Sequence, residues 1–239
     1  MDISFILIEP AVPENIGASA RAIKTMGFKR LCLVNPENHL NKKAKILAHA
    51  SHDVLEDALV YQDFRELLSD FDFLIATSAK RRRTNENYLQ ADALPEFLFE
   101  RKDNFNRVGI LFGREESGLT NEEIRKCDLV TFIPMAAPYP SLNLSQAVMV
   151  YAYLLSGIVK RNRISGKAKS NAESVGALKS KVQALLEVIE IKQPHIIGPR
   201  IMERLSYLKK EDVSLLHSAC NSILKKIRPS RQVNRKTSS

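Results

Sequence analysis

The chain of 239 residues has only three cysteines, Cys32, Cys127 and Cys220, far apart and without a CxxC pair. That scarcity argues against a disulfide framework or a Cys-rich zinc site and predicts a reducing, cytoplasmic setting. The start, MDISFILIEP, has no basic segment ahead of its apolar residues, so it does not read as a secretion signal. No apolar run reaches the roughly 20 residues that cross a bilayer. The longest, Ala147–Val159, stops short, and no membrane partner is expected. GxGxxG is missing after the first strand-like segment, which argues against an ordinary dinucleotide site. His49, His52 and Asp53 come nearest to a metal cluster. Without a third, distant ligand group they predict a helix end and no metal. Nor does spacing pick out a Ser–His–Asp or Cys–His arrangement. What remains is 44% apolar and 26% charged, an ordinary globular composition that excludes wholesale disorder.

The net charge of +9 is unevenly spread. Residues 1–159 hold 18 basic and 21 acidic side chains, a net −3, whereas residues 160–239 hold 18 and 6, a net +12. Such asymmetry predicts an appendage that binds a polyanion, nucleic acid ahead of an acidic membrane. A solvated tail without a partner is the plainer alternative.

The first part alternates strand and helix patterns. Strands are predicted at Ile3–Ile8, Arg30–Val34, Ala58–Tyr61, Phe73–Ala76, Val108–Phe112 and Leu129–Ile133. Helices are predicted at Ile16–Met26, closed by Gly27, and at Asn41–Ala48, Asp63–Leu68, Leu94–Arg101 and Asn121–Lys126. Strands apolar on both faces, alternating with helices, imply an α/β fold with a parallel sheet covered by helices on both faces. Leu144, Ala147, Val148, Tyr151, Leu154, Leu155 and Ile158 follow helical spacing and predict a long closing helix. This places a first domain at 1–160, a small, polar, basic linker at 161–177 around GKAKSNAESVG, and a helical extension at 178–239. In the extension, Leu178, Val182, Leu185 and Ile189 mark one helix. Ile201–Leu208 marks a second, and Val213, Leu216, Cys220, Ile223 and Ile227 a third. The tail from Pro229 is basic and predicted to be disordered.

Three segments at strand ends carry small and polar residues where ligands gather in open α/β sheets. They are Pro13–Arg21, Ile110–Thr120 with its two glycines, and Ile133–Ser145. In order and spacing, NIGASARAIKTMGF, LFGREESGLTNEEI and YPSLNLSQAV resemble the three motifs of the SPOUT RNA methyltransferases, in the branch of the tRNA ribose methyltransferase TrmJ. The resemblance covers about residues 1–160, and the basic extension also looks like that branch. It implies a trefoil-knotted domain, a homodimer, S-adenosyl-L-methionine as methyl donor, and 2′-O-methylation of ribose in RNA. A tRNA anticodon loop is the first choice of substrate. The same chemistry on ribosomal RNA is one alternative, and a non-catalytic RNA-binding dimer is another.

By the same resemblance, the cofactor is held by Phe112, Gly113, Ile133, Met135 and Leu142, with Thr77 and Ser78 as a further wall. The catalytic set is Arg21, Asn15, Glu115, Ser141 and Asn143. Arginine is a poor base, so Arg21 is assigned to orienting the 2′-hydroxyl and stabilising developing negative charge. A surface arginine on an amphipathic helix is the plainer reading of the same residue. Asn15 and Glu115 would fix the loops, Glu115 with the option of pairing with an arginine. Ser141 and Asn143 could also simply cap the long helix. Lys80, Arg81, Arg82 and Arg83 suit a clamp on RNA phosphates or a solvated loop, and their place beside the predicted pocket favours the clamp. Pro138 and Pro140 depart from the family, which more often has small polar residues there, and each removes a backbone donor.

Overall fold

A computed structural model describes residues 1–79, 88–137, 141–164, 175–189 and 194–227. The predicted basic clamp at Lys80–Arg83, the prolines Pro138 and Pro140, and the tail from Pro229 lie outside the described residues. The chain falls into two compact units, Met1–Lys102 with Asn106–Ser170, and Asp103–Phe105 with Asn171–Ser239.

The larger unit is built on strands β1 (Asp2–Ile8), β2 (Arg30–Val34), β3 (Leu59–Tyr61), β4 (Phe73–Ser78), β5 (Tyr88–Gln90), β6 (Arg107–Phe112) and β7 (Leu129–Phe132). They form one sheet in the order β3-β2-β1-β6-β4-β7-β5. Every pairing is parallel. Helices α1 (Pro13–Thr25), α2 (Lys42–Leu47), α3 (His52–Glu56), α4 (Phe64–Leu67), α5 (Leu94–Glu100), α6 (Asn121–Lys126) and α7 (Leu144–Ile164) make the connections. α7 continues past residue 160, the predicted end of the domain.

Pleat alternation divides the core in two. Ile6, Ile8, Leu74, Ala76, Leu111 and Val130 pack with Leu67 of α4 and Ile124 of α6. Phe5 and Phe112 point the other way, stacked at 6.2 Å, and Phe112 meets Tyr151 of α7 edge-on at 5.5 Å. Both faces are therefore covered, as a parallel sheet requires. β1 hands the chain to β2 on one side, whereas β6 hands it to β7 on the other. The central strands thus diverge at a switch point, and the loops after β1, β6, β4 and β7 gather along one edge. β5 is not expected from the sequence: it is as short as β3 but ends on a polar Gln90 and has no unbroken apolar run.

The smaller unit holds α8 (Val175–Val188), α9 (Pro194–Leu205) and α10 (Lys210–Ile227). Val175, Leu178, Leu185, Leu205, Val213 and Cys220 form its interior. Residues 103–105 belong here through Asn104, whose carbonyl accepts from the Val175 N–H at 2.9 Å and whose amide donates to the Leu208 carbonyl at 2.6 Å. The stripe on α10 differs from the spacing-based expectation. Leu216 and Ile223 are exposed, and His217 is buried instead, with Lys181 at 3.1 Å from its Nδ1. That ion–ring contact lets a polar side chain occupy a position that apolar periodicity cannot anticipate. Ile189 likewise lies just past α8 and is exposed.

Candidate active site

α1 starts with Pro13 in its first turn and Glu14 beside it, a favourable opening for a helix. This puts Asn15 at the base of the helix, buried, and aimed at two other loops. Its Nδ2 donates to Glu115 Oε1 at 2.9 Å, and its Oδ1 accepts from Asn143 Nδ2 at 2.9 Å. Glu115 also accepts from the backbone N–H of Ala11 at 3.2 Å and of Val12 at 3.4 Å. Asn143 Oδ1 in turn accepts from Ser145 N at 2.9 Å and Ser145 Oγ at 2.8 Å, at the opening of α7. One side-chain chain thus ties together the loops after β1, β6 and β7. Ser141 is exposed just upstream of Asn143.

The loop after β6 is held from behind by a residue the sequence did not single out. Arg114 forks onto Glu9, with Nε to Oε2 at 2.8 Å and Nη2 to Oε1 at 2.5 Å. It also reaches both oxygens of Glu123, at 3.0 and 3.2 Å. The Arg114 guanidinium, by hydrogen bonding, holds the Glu9 carboxyl below the usual carboxylate range. Glu123 doubles as the third residue of α6, closing a capping box with Thr120. Glu9 takes φ 45 at the end of β1, turning the chain towards Ala11 and Val12. Neighbouring residues Arg114 and Glu115 therefore clip the same short segment at two points. Thr120-x-x-Glu123 is a local capping-box pattern that could have placed Glu123, but no local signal links Arg114 to Glu9, 105 residues away. Glu115 takes Asn15 and backbone donors, while its neighbour takes the acidic partners. Removing the fork by Arg114→Ala is expected to cost about 2 kcal/mol, since Glu123 is buried and Glu9 partly solvated. A thermal melt checks this, and Arg114→Lys should fall between, because an ammonium cannot fork onto two carboxylates.

Beside this network, at the carboxyl ends of β4 and β7, lies a cleft lined by Thr77, Ser78, Ala79, Ile133, Met135, Leu142, Ala147 and Tyr151. Five of the seven predicted cofactor residues therefore share one cavity wall. Phe112 and Gly113 do not line it. The Phe112 ring is buried against Tyr151, and Gly113 is pressed against the backbone of Gly118 and Leu119. Tyr151 was read only as part of the apolar stripe of α7. In the structure it is both core and wall, its hydroxyl 3.1 Å from Thr131 Oγ1, and burial pushes its phenol up. Thr77 Oγ1 donates to the Leu111 carbonyl at 2.7 Å, fixing that wall to β6. The cysteines are unsuited to nucleophilic work: burial pushes the Cys32 thiol up to about 12 and raises Cys127 as well.

Arg21 lies apart from the network. Six residues beyond Asn15, it is about 9 Å further along α1 and turned about 120° around it. It is exposed and has no ion-pair or hydrogen-bond partner among the described residues. Among the described residues no group of three or more His, Cys, Asp or Glu could hold a metal, and no helix is long and apolar enough to cross a membrane.

The SpoU rRNA methylase family matches residues 2–153, and the C-terminal domain of the tRNA/rRNA methyltransferase LasT matches residues 172–227. An uncharacterized tRNA/rRNA methyltransferase LasT of Escherichia coli strain K12 is 38% identical over 227 residues, 95% of this chain and 99% of its own. The tRNA (cytidine-2'-O-)-methyltransferase TrmJ of Methanocaldococcus jannaschii is 38% identical over 164 residues, 67% of this chain and 70% of its own. The solved structure of a probable methylase family protein from Haemophilus influenzae Rd KW20 matches with a TM-score of 0.61 at 29% identity. It covers 96% of this chain and 98% of that one.

Proposed function

Since the chain belongs to the SpoU rRNA methylase family and is an RNA methyltransferase, we propose that it moves a methyl group from S-adenosyl-L-methionine to a ribose 2′-hydroxyl in tRNA. An anticodon-loop nucleotide is the first candidate. The observation that carries this reading is the Glu115–Asn15–Asn143 chain, which locks three separate loops beside the apolar cleft. The relatives named TrmJ are 2′-O-methyltransferases of tRNA, and the chain is 36–38% identical to them over 151–164 residues. S-adenosyl-L-methionine, when bound, supplies a methyl group already activated by a sulfonium.

The cleft suits such a cofactor: Ile133, Met135, Leu142 and Ala147 give apolar walls, and Thr77 and Ser78 add hydroxyls at the strand end. The rest of the task falls to the protein. Asn15, Glu115 and Asn143 hold the loops in register, so that little reorganisation is needed when RNA arrives. Arg21 binds the neighbouring phosphate, orients the 2′-hydroxyl and stabilises the charge that develops as its proton leaves. Its guanidinium stays protonated and takes no proton itself.

The same reading includes the trefoil-knotted threading and a homodimer. Support for the dimer comes from α7, where Met149 and Tyr153 are held out one turn apart, with Tyr153 66% exposed. It also keeps Lys80, Arg81, Arg82 and Arg83 as an RNA clamp, the net +12 of residues 160–239 as a source of long-range attraction, and the cytoplasm as the setting. The test is incubation with methyl-labelled S-adenosyl-L-methionine and unmodified total RNA. Label is expected in tRNA, at a nucleotide that resists alkaline cleavage on its 3′ side. Label confined to ribosomal RNA would move the substrate. Cofactor binding without any transfer would leave a non-catalytic RNA-binding dimer.

A further inference from the structure

The exposed side of α1 that carries Arg21 is bordered by the segment from α2 to α3. Glu14 pairs with Lys43 of α2 at 3.1 Å, and Lys24 pairs with Asp53 of α3 at 2.6 Å. Between these two anchors Gly17 meets α2 backbone to backbone. A Cβ there would run into the Ala44 carbonyl oxygen and sit 3.1 Å from its Cα. Arg21 is one helical turn beyond Gly17, on the same side of α1. These two ion pairs therefore fix it between the α2 and α3 contacts.

The charge on this side does not balance. Lys43 is used by Glu14, and Lys24 by Asp53. Lys42 and Lys45 are exposed and have no ion-pair or side-chain hydrogen-bond partner among the described residues, and the same holds for Arg21. Ala44 faces α1, so Lys42, at the opposite side of α2, faces outwards together with Ile46, which is 60% exposed. Two ammonium groups and a guanidinium without partners among the described residues, with a bare aliphatic side chain, thus lie on the exposed side of the packed α1–α2 pair. The residues around it, 1–159, carry a net −3, so general basicity does not explain the cluster.

Resting on the RNA-methyltransferase reading of Arg21, we propose that α2 is an RNA-binding element, with Lys42 and Lys45 gripping the phosphates that flank the reacting nucleotide. A polyanion that brings a ribose to Arg21 must continue on at least one side of it. α2 offers cations there, while the paired Glu14 and Asp53 no longer repel. Ile46 gives a sugar an apolar surface to rest against.

The test compares full-length Lys42→Glu/Lys45→Glu with wild type and with Lys29→Glu/Lys126→Glu. The control makes the same charge change at exposed lysines just ahead of β2 and β7, at the opposite end of the sheet. RNA affinity is measured at several salt concentrations, along with KM and kcat for RNA. Loss of two phosphate contacts should flatten the slope of log affinity against log salt by about 1.4–1.8. KM for RNA should rise about tenfold or more at physiological salt, with kcat and S-adenosyl-L-methionine affinity retained. An unchanged slope overturns the proposal, as does an equal loss in the control or a fall in kcat alone. A wild-type protein that transfers no methyl group to any RNA would instead sink the underlying reading.

Discussion

Arg21→Ala is expected to abolish methyl transfer to RNA while leaving the melting temperature and the affinity for S-adenosyl-L-methionine unchanged. The two halves of that expectation have separate physical grounds. Stability should hold because the side chain is exposed and bonds to nothing among the described residues. Cofactor affinity should hold because the cleft is walled by the end of β4, the segment after β7 and the start of α7, and none of α1 lines it. Transfer should fail because a ribose hydroxyl is a weak nucleophile that builds negative charge as it attacks. Loss of one well-placed donor to such charge costs about a hundredfold to a thousandfold, and the same guanidinium also binds phosphate. Arg21→Lys should recover little, since an ammonium cannot reach a hydroxyl and a phosphate with one planar fork. Single-turnover methylation, a thermal melt and cofactor calorimetry together decide it. Substantial residual turnover would remove Arg21 from the reacting centre, and global unfolding would make it structural.

What the sequence discloses and what it hides follow the range of each interaction. β1, β2, β4, β6 and β7 are continuous apolar runs because a parallel sheet buries both their faces, so they could be read locally. β5 could not, since Tyr88-Leu89-Gln90 lacks the unbroken apolar run that marks Leu59-Val60-Tyr61 of the equally short β3. The loops of Asn15, Glu115 and Asn143 were recognised through family resemblance, yet the bonds joining them span 100 and 128 residues. Spacing along a chain cannot show such contacts. The Arg114 fork illustrates this well: a charged residue flanked by others looks like solvent-facing polarity until its two acidic partners are placed in space. Tyr151 and Phe112 show the reverse ambiguity. Both look like core from periodicity, and only the tertiary fold makes Tyr151 part of a cleft wall while the Phe112 ring stays inside. His217 shows how a polar partner such as Lys181 can override an apolar stripe.

Gly113→Ala should be far more damaging than its one added methyl suggests. A Cβ at this position would run into the carbonyl carbon of Gly118 and the nitrogen of Leu119, and would lie 2.6 Å from the Gly118 oxygen. These are backbone atoms, so no side chain can rotate away to make room. The loop is closed there by Gly118 N donating to the Arg114 carbonyl at 2.9 Å, and Gly118 itself takes φ +68 to complete the turn. Opening the loop would draw Arg114 from Glu9 and Glu123 and, in the same movement, Glu115 from Asn15. Overpacking of this kind costs about 3 kcal/mol, which for a chain of this size lowers the melting temperature by roughly 6–12 °C. Methyl transfer should be lost with it, even at temperatures where the variant remains folded. Gly157→Ala on α7 supplies the comparison: nothing lies within 4 Å of its added Cβ. Alanine is favoured over glycine in a helix by up to about 1 kcal/mol, so that variant should melt at the same temperature or higher. If the two variants proved equally benign, the loop after β6 would not be closed as described, and the alignment of Glu115 with Asn15 would need another cause.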